Sequence, residues 1–302
     1  MKFHGSFVAL PTPFRGGAVD HEALRGLVAF HLSAGTNGLV PCGTTGEAVV
    51  LSAREYREVI ETVVAAADGR LPVIAGAGTN STARAVELAR MAREAGADGL
   101  LVVTPYYNKP PQDAMVEHFA AVSVAAGLPV CVYNVPGRTG VNLLPETVAE
   151  LHHRGVAAAV KEASGNIAQV SRIIALTRGE LPVMSGEDSA ILPIMAVGGT
   201  GVISVAANVA PAAIATLVRC AAAGDLAAAR RIQLGLLPLI DALFWESNPI
   251  PVKAALAHMG MIANELRLPL RPLQAHFEKA LIEVMNKSEL EPARTARQDG
   301  GE

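Results

Sequence analysis

Ala157-Ala158-Ala159-Val160-Lys161-Glu162-Ala163-Ser164-Gly165 is an apolar run of strand length that ends on a single ammonium. A lysine in that setting either snorkels to water or is reactive. Desolvation disfavours the charged form, and a neutral amine can attack a carbonyl to form a Schiff base. At an ordinary pKa near ~10.4 only about one amine in a few thousand is neutral at pH 7. A shift to roughly 7–8 raises the nucleophilic fraction by on the order of hundreds to a thousandfold. Burial at this position is therefore part of any chemistry Lys161 does.

Working outward from that run, short β-like segments followed by helical ones recur about eight times. The strand candidates are residues 7–10, 38–42, 73–75, 99–103, 130–134, 158–162, 183–185 and 201–205. Alternation of this kind implies a parallel sheet, and eight strands predict a closed (β/α)8 TIM barrel. A doubly wound open sheet is the competing architecture, but no G-x-G-x-x-G follows the first strand. Helix signals fit the repeat. Ser52-Ala53-Arg54-Glu55 reads as a capping box, Asp20 opens the first helix, and Ser81 or Thr82 opens the third. Gly35 and Gly96 sit where a left-handed C′ residue returns the chain to the sheet. The β-like runs stop near Asp225. The expected organisation is a catalytic barrel over 1–224, a C-terminal helical extension over 225–285 and a polar tail over 286–302 expected to be disordered.

The 302 residues are 51% hydrophobic and 18% charged, with a formal net charge of −3, enough to build a large core and without a basic block for nucleic acid or an anionic membrane. Cys42, Cys131 and Cys220 lie far apart in apolar runs, so buried thiols in a reducing cytoplasm fit better than disulfides. No apolar span of transmembrane length or signal-peptide h-region is present, so a cytoplasmic location is expected. His152-His153 reads as solvent-exposed, and no histidine spacing suits a catalytic metal.

In such a barrel the reactive groups project from the C-terminal strand ends. Those ends carry Gly43-Thr44-Thr45-Gly46-Glu47, suited to cradle a carboxylate, Thr104-Pro105-Tyr106-Tyr107-Asn108, and Tyr133-Asn134-Val135-Pro136-Gly137-Arg138-Thr139-Gly140, besides Lys161. Tyr133, a phenol near the lysine, can pass protons during imine formation. Each motif alone has an ordinary explanation as turn or packing chemistry; their joint placement at successive strand ends favours a site.

With these motifs, and with Val160-Lys161-Glu162-Ala163 and Gly198-Gly199-Thr200-Gly201-Val202-Ile203-Ser204, the chain resembles the dihydrodipicolinate synthase family, within the pyruvate-dependent class I aldolases that include N-acetylneuraminate lyase. The resemblance implies a (β/α)8 barrel in which Lys161 forms an imine with pyruvate, needing no cofactor. It also implies a proton relay of Thr44, Tyr107 and Tyr133, with Tyr107 reaching in from a neighbouring subunit of a homotetramer built as a dimer of dimers. Thr45, Gly186 and Ile203 would bind substrate. Arg138 would hold the carboxylate of L-aspartate-4-semialdehyde, giving 4-hydroxy-tetrahydrodipicolinate for lysine and diaminopimelate biosynthesis. The alternatives are a sugar-acid aldolase or dehydratase of the same mechanism and a non-catalytic 2-oxo-acid sensor. One departure concerns regulation. Members inhibited by L-lysine carry a glutamate at the position of Arg84, often with histidines at those of Ala53 and Tyr56, so weak or absent inhibition is expected here.

Overall fold

The computed structural model describes residues 3–288. Eight parallel strands form one sheet: β1 (Gly5–Ala9), β4 (Gly38–Val40), β5 (Ile74–Gly76), β6 (Gly99–Val103), β7 (Val130–Asn134), β8 (Ala157–Glu162), β9 (Val183–Ser185) and β10 (Gly201–Ser204). Their order is β4-β1-β10-β9-β8-β7-β6-β5, and a parallel bridge from Leu39 to Val73 joins the two ends, closing the (β/α)8 barrel. Between β1 and the first helix sits a two-stranded hairpin, β2 (Phe14–Arg15) and β3 (Ala18–Val19).

The outer ring is α1 (His21–Ser33), α2 (Ala53–Ala67), α3 (Thr82–Glu94), α4 (Gln112–Ala126), α6 (Pro145–His153), α7 (Ile167–Leu176), α8 (Ile191–Ala196) and α9 (Pro211–Ala222), with a single turn, α5 (Pro136–Thr139), following β7. Their starts are set locally. Asp20 and Ser81 accept N–H bonds from Ala23 and Arg84, and Ser52 and Glu55 form the complete capping box. Gly35 and Gly96 have φ of 81° and 90°, the left-handed conformation needed to turn back to the sheet.

Strand side chains alternate between two cores. Phe7, Val40, Ile74, Leu101, Cys131, Tyr133, Ala159, Met184 and Ile203 fill the barrel, while Val8, Leu39, Leu100, Val132, Val160 and Val202 pack outward against the helices. The pairing of β7 with β8 slips once between Val130 and Cys131, a bulge with Ala158 as the extra residue. Beyond it Cys131 pairs with Ala159 and Tyr133 with Lys161, so Lys161 shares the inward face of Ala159.

Three helices follow the barrel: α10 (Leu226–Ala242), α11 (Ile250–His258) and α12 (Ala275–Lys287). The last runs two residues past the expected limit of 285, because Leu281 and Met285 bury its apolar face through the final turn. The remainder of the expected tail, 289–302, lies outside the described residues. Two cysteines are buried as expected, but Cys220 on the outer helix α9 is only half-buried. His153 is exposed, whereas His152 is partly covered, with Glu180 at 3.8 Å from its Nε2.

The extension is fastened to the barrel by charge. Lys253 on α11 is fully buried; its Nζ donates to Glu47 Oε1 at 2.6 Å and to the Thr12 carbonyl at 2.9 Å. Arg267 binds Glu55 of the capping box at 2.5 and 3.0 Å and its N–H donates to Glu47. This holds the Glu55 carboxyl down at about 2. Lys253 and Arg267 both stand 4.3 Å from the centroid of the Phe14 ring. Glu265 accepts the N–H groups of Gly16 and Gly17 in the hairpin turn. Breaking a buried pair strands one charge, which costs about 3–5 kcal/mol. Lys253→Met should therefore lower the urea midpoint by that equivalent, and Lys253→Met with Glu47→Leu should recover more than half of the loss; a double variant no better than the single one would contradict the pairing.

Candidate active site

At the C-terminal end of the barrel lies a cavity of about 440 Å³ whose wall includes Thr44, Thr45, Tyr133, Arg138, Lys161 and Gly186. Six of the eight residues singled out in the sequence thus meet in one place. Ile203 is fully buried in the inner-barrel core with Tyr133 and is not on the cavity wall. Tyr107 is not there either. It projects into solvent, 87% exposed, from a backbone with φ of 74°.

Lys161 is 5% exposed, and its Nζ lies 4.3 Å from the centroid of the Tyr133 ring, its neighbour across the strand pair. Among the described residues no ion pair within 4.0 Å involves it. Burial lowers its pKa to about 8. About one amine in ten is then neutral at pH 7. Tyr133 is displaced the other way: burial pushes its phenol up to about 12. It remains a protonated donor at neutral pH beside a nucleophile, the pairing that acid–base assistance of imine formation requires. Gly186 makes room for this lysine. A Cβ at that position would meet Ala163 Cβ at 2.7 Å and Lys161 Cε at 3.1 Å.

The strand-two loop is ordered for binding. Thr45 is buried and its Oγ1 accepts from Asn248 Nδ2 at 2.9 Å, while Thr44 is exposed on the cavity wall. Glu162, next to Lys161, faces away into a polar cluster, where its carboxylate accepts from Ser164 N at 2.7 Å, Asn134 Nδ2 at 3.0 Å and Gln169 Nε2 at 3.2 Å. These bonds pin the strand end that carries the lysine. Sequence reasoning missed Glu187, Asp188, Ile240, Asp241, Phe244 and Asn248 on the wall. The rule that reactive groups follow barrel strands could have found the first two, since they come just after β9. The others come from the extension and carry no motif. The described residues contain no cluster of three or more His, Cys, Asp or Glu side chains able to hold a metal, and no helix among them is long and apolar enough to cross a membrane.

The barrel, the buried lysine and its phenol neighbour can be set beside known proteins. Residues 2–288 match the model of the dihydrodipicolinate synthetase family. The chain belongs to that family. A relative named 4-hydroxy-tetrahydrodipicolinate synthase, from Geobacter sulfurreducens, is 51% identical over 288 residues, which is 95% of this chain and 99% of the relative. The dihydrodipicolinate synthase of Aquifex aeolicus has a solved structure that superposes with a TM-score of 0.94 at 45% identity, covering 97% of this chain and 100% of that one. Another family structure, the chloride-inhibited enzyme of Acinetobacter baumannii complexed with pyruvate, gives 0.93 at 41% identity, covering 96% and 100%.

The depressed lysine has a thermodynamic signature. Below a pH of about 8 the folded chain must hold a buried ammonium whose pKa would be near 10.5 in the unfolded chain. Between those values the unfolded state binds more protons, so stability rises with pH across that window, and at pH 7 the whole penalty is present. Lys161→Met should raise stability at pH 7 by roughly 1–3 kcal/mol while abolishing any pyruvate adduct. Urea melts at pH 7 and pH 10 measure this; a variant less stable than wild type at pH 7 would contradict it.

Proposed function

We infer that this chain condenses pyruvate with L-aspartate-4-semialdehyde to 4-hydroxy-tetrahydrodipicolinate, as a lyase of lysine and diaminopimelate biosynthesis working through an imine on Lys161. The observation that carries this reading is a buried lysine with its pKa lowered to about 8, beside a protonated Tyr133, in a cavity walled by Arg138, within a chain of this family.

In this mechanism neutral Lys161 Nζ attacks the ketone carbon of pyruvate, and the carbinolamine loses its hydroxyl as water after receiving a proton from the Tyr133 phenol. The iminium acts as an electron sink, so a methyl proton leaves and an enamine forms. Its carbon attacks the aldehyde of the semialdehyde, and the new alkoxide takes a proton. The amine of the bound product then closes on the imine carbon and expels Lys161. No separate cofactor is required, since the iminium itself stores the electron pair. Thr45, buried and accepting from Asn248, would offer its hydroxyl hydrogen to the pyruvate carboxylate, with Gly186 beside Lys161 on the same wall and Ile203 in the inner-barrel core with Tyr133. Thr44 and Tyr107 would complete the proton relay. Because Tyr107 is exposed and off the wall of its own cavity, it would serve a second chain, in keeping with a homotetramer of paired dimers.

Arg138 can take the acceptor carboxylate through two parallel N–H bonds. Arg138→Ala should cut kcat/KM for the semialdehyde roughly ten- to hundredfold, the cost of a charge-assisted hydrogen bond, while leaving pyruvate trapping by borohydride largely intact. Equal loss of both would contradict the assignment. Consumption of pyruvate by wild type with the semialdehyde, and not with N-acetylmannosamine, tests the overall reaction; the reverse preference would reassign the acceptor. Feedback by L-lysine should be weak or absent. The Arg84 guanidinium pairs with Glu87 at 2.8 Å and would repel an ammonium, and the Tyr56 hydroxyl is buried against the Gly76 carbonyl at 2.9 Å. Submillimolar inhibition in a steady-state assay would defeat this expectation.

A further inference from the structure

Asp188 follows β9 on the same cavity wall as Lys161 and is almost wholly buried. One carboxylate oxygen, Oδ2, is held by the N–H groups of Val205 and Ala206 at 3.0 and 2.9 Å, where the chain leaves β10. The other, Oδ1, is buried and makes no well-formed hydrogen bond, with the Ser204 hydroxyl as the nearby polar group that favours the ionised carboxylate. An unpartnered oxygen on a buried carboxylate is costly unless a positive charge faces it.

The other ionisable groups around Lys161 do not set a buried negative charge against it. On β7, Cys131 and Tyr133 are each pushed up to about 12 by burial and are neutral at pH 7. Arg138 on α5 is a cation. Glu162 on β8 is turned into its own hydrogen-bonded cluster. Glu187 is half-buried and Asp241 on α10 is exposed, so water screens both. Among the described residues Asp188 is the one buried carboxylate on the wall; burial raises its pKa, while the Ser204 hydroxyl, the Val205 and Ala206 N–H groups and the charge of Lys161 favour its ionised form, and it forms no ion pair within 4.0 Å of Lys161, so the free amine is not tied up.

We propose that Asp188 is the counter-charge to the cationic nitrogen that Lys161 carries through the reaction, acting across the cavity on the ammonium and the iminium without pairing directly with the free amine. It is a positioning residue, fixed by two backbone N–H groups so that its field needs no reorganisation when positive charge develops. The proposal rests on the imine reading above.

Asp188→Asn separates this role from simple anchoring, because the amide oxygen can still accept from Val205 and Ala206. Removing the negative charge favours neutral Lys161, so the pH midpoint for borohydride-trapped pyruvate adduct should fall by about one unit. Loss of iminium stabilisation should slow exchange of the pyruvate methyl protons with deuterated water by about tenfold or more. An unchanged midpoint and exchange rate in a folded variant would overturn the proposal. Wild type that traps no pyruvate would overturn the imine reading and this proposal with it. Infrared difference spectra of protein labelled at aspartate carboxyls give a second test: Asp188 should remain ionised in the pyruvate adduct, and a protonated-acid band present in wild type and lost in a folded Asp188→Asn would overturn the proposal.

Discussion

Everything at the mouth of this barrel depends on an ammonium taken out of water without a salt-bridge partner. Among the described residues two lysines are buried, and they resolve the cost of desolvation in opposite ways. Lys253 meets Glu47 at 2.6 Å and becomes a structural tie. Lys161 meets a phenol ring and a cavity, and it answers by giving up its proton more readily. Pairing Lys161 directly with a carboxylate would relieve the strain and destroy the nucleophile. The bulge at Ala158, the missing Cβ at Gly186 and the pinned Glu162 all serve to hold that amine where it is uncomfortable.

The barrel alone does not complete the site. Ile240, Asp241, Phe244 and Asn248 come from the segment after the eighth strand unit, and the Asn248 amide donates to the Thr45 hydroxyl. The Lys253–Glu47 tie closes on the same Gly43–Glu47 loop that presents Thr44 and Thr45, so the helical extension sets the geometry of the strand-two loop as well as adding stability. Residue 225, where a helical extension was expected to begin, falls in the turn between two helices, α9 and α10, and the core and the cavity run across it.

Much of this was legible in the sequence because local signals and barrel periodicity agree. All eight strands, the Asp20, Ser81 and Ser52 caps, and the inward placement of Lys161 and Tyr133 follow from patterns only a few residues long. Three strands match at both ends, and the strand ends that differ, like the end of the last helix, are off by one or two residues, where burial rather than propensity sets the limit. What stayed hidden needed three dimensions. Lys253 carries the same sequence signal as Lys161, a lone ammonium in an apolar run, and only Glu47, 206 residues away, distinguishes them. Asn248 lies in a turn that carries no motif, whereas Asp188, opening a 3-10 turn just after β9, was within reach of the strand-end rule. Tyr107 was grouped with the site by the family resemblance, but within one chain its side chain faces solvent.

The most direct test of the account is to reduce wild-type protein with borohydride in the presence of pyruvate across a pH series and map the adduct by peptide mass spectrometry. The account predicts one adduct per chain, on Lys161 alone, with half-formation at a pH near the amine's value of about 8. An adduct on Lys253 or on surface lysines, or a Lys161 adduct that appears only as pH approaches the 10.5 of an ordinary lysine, would contradict the claim that burial without a partner makes this residue the nucleophile.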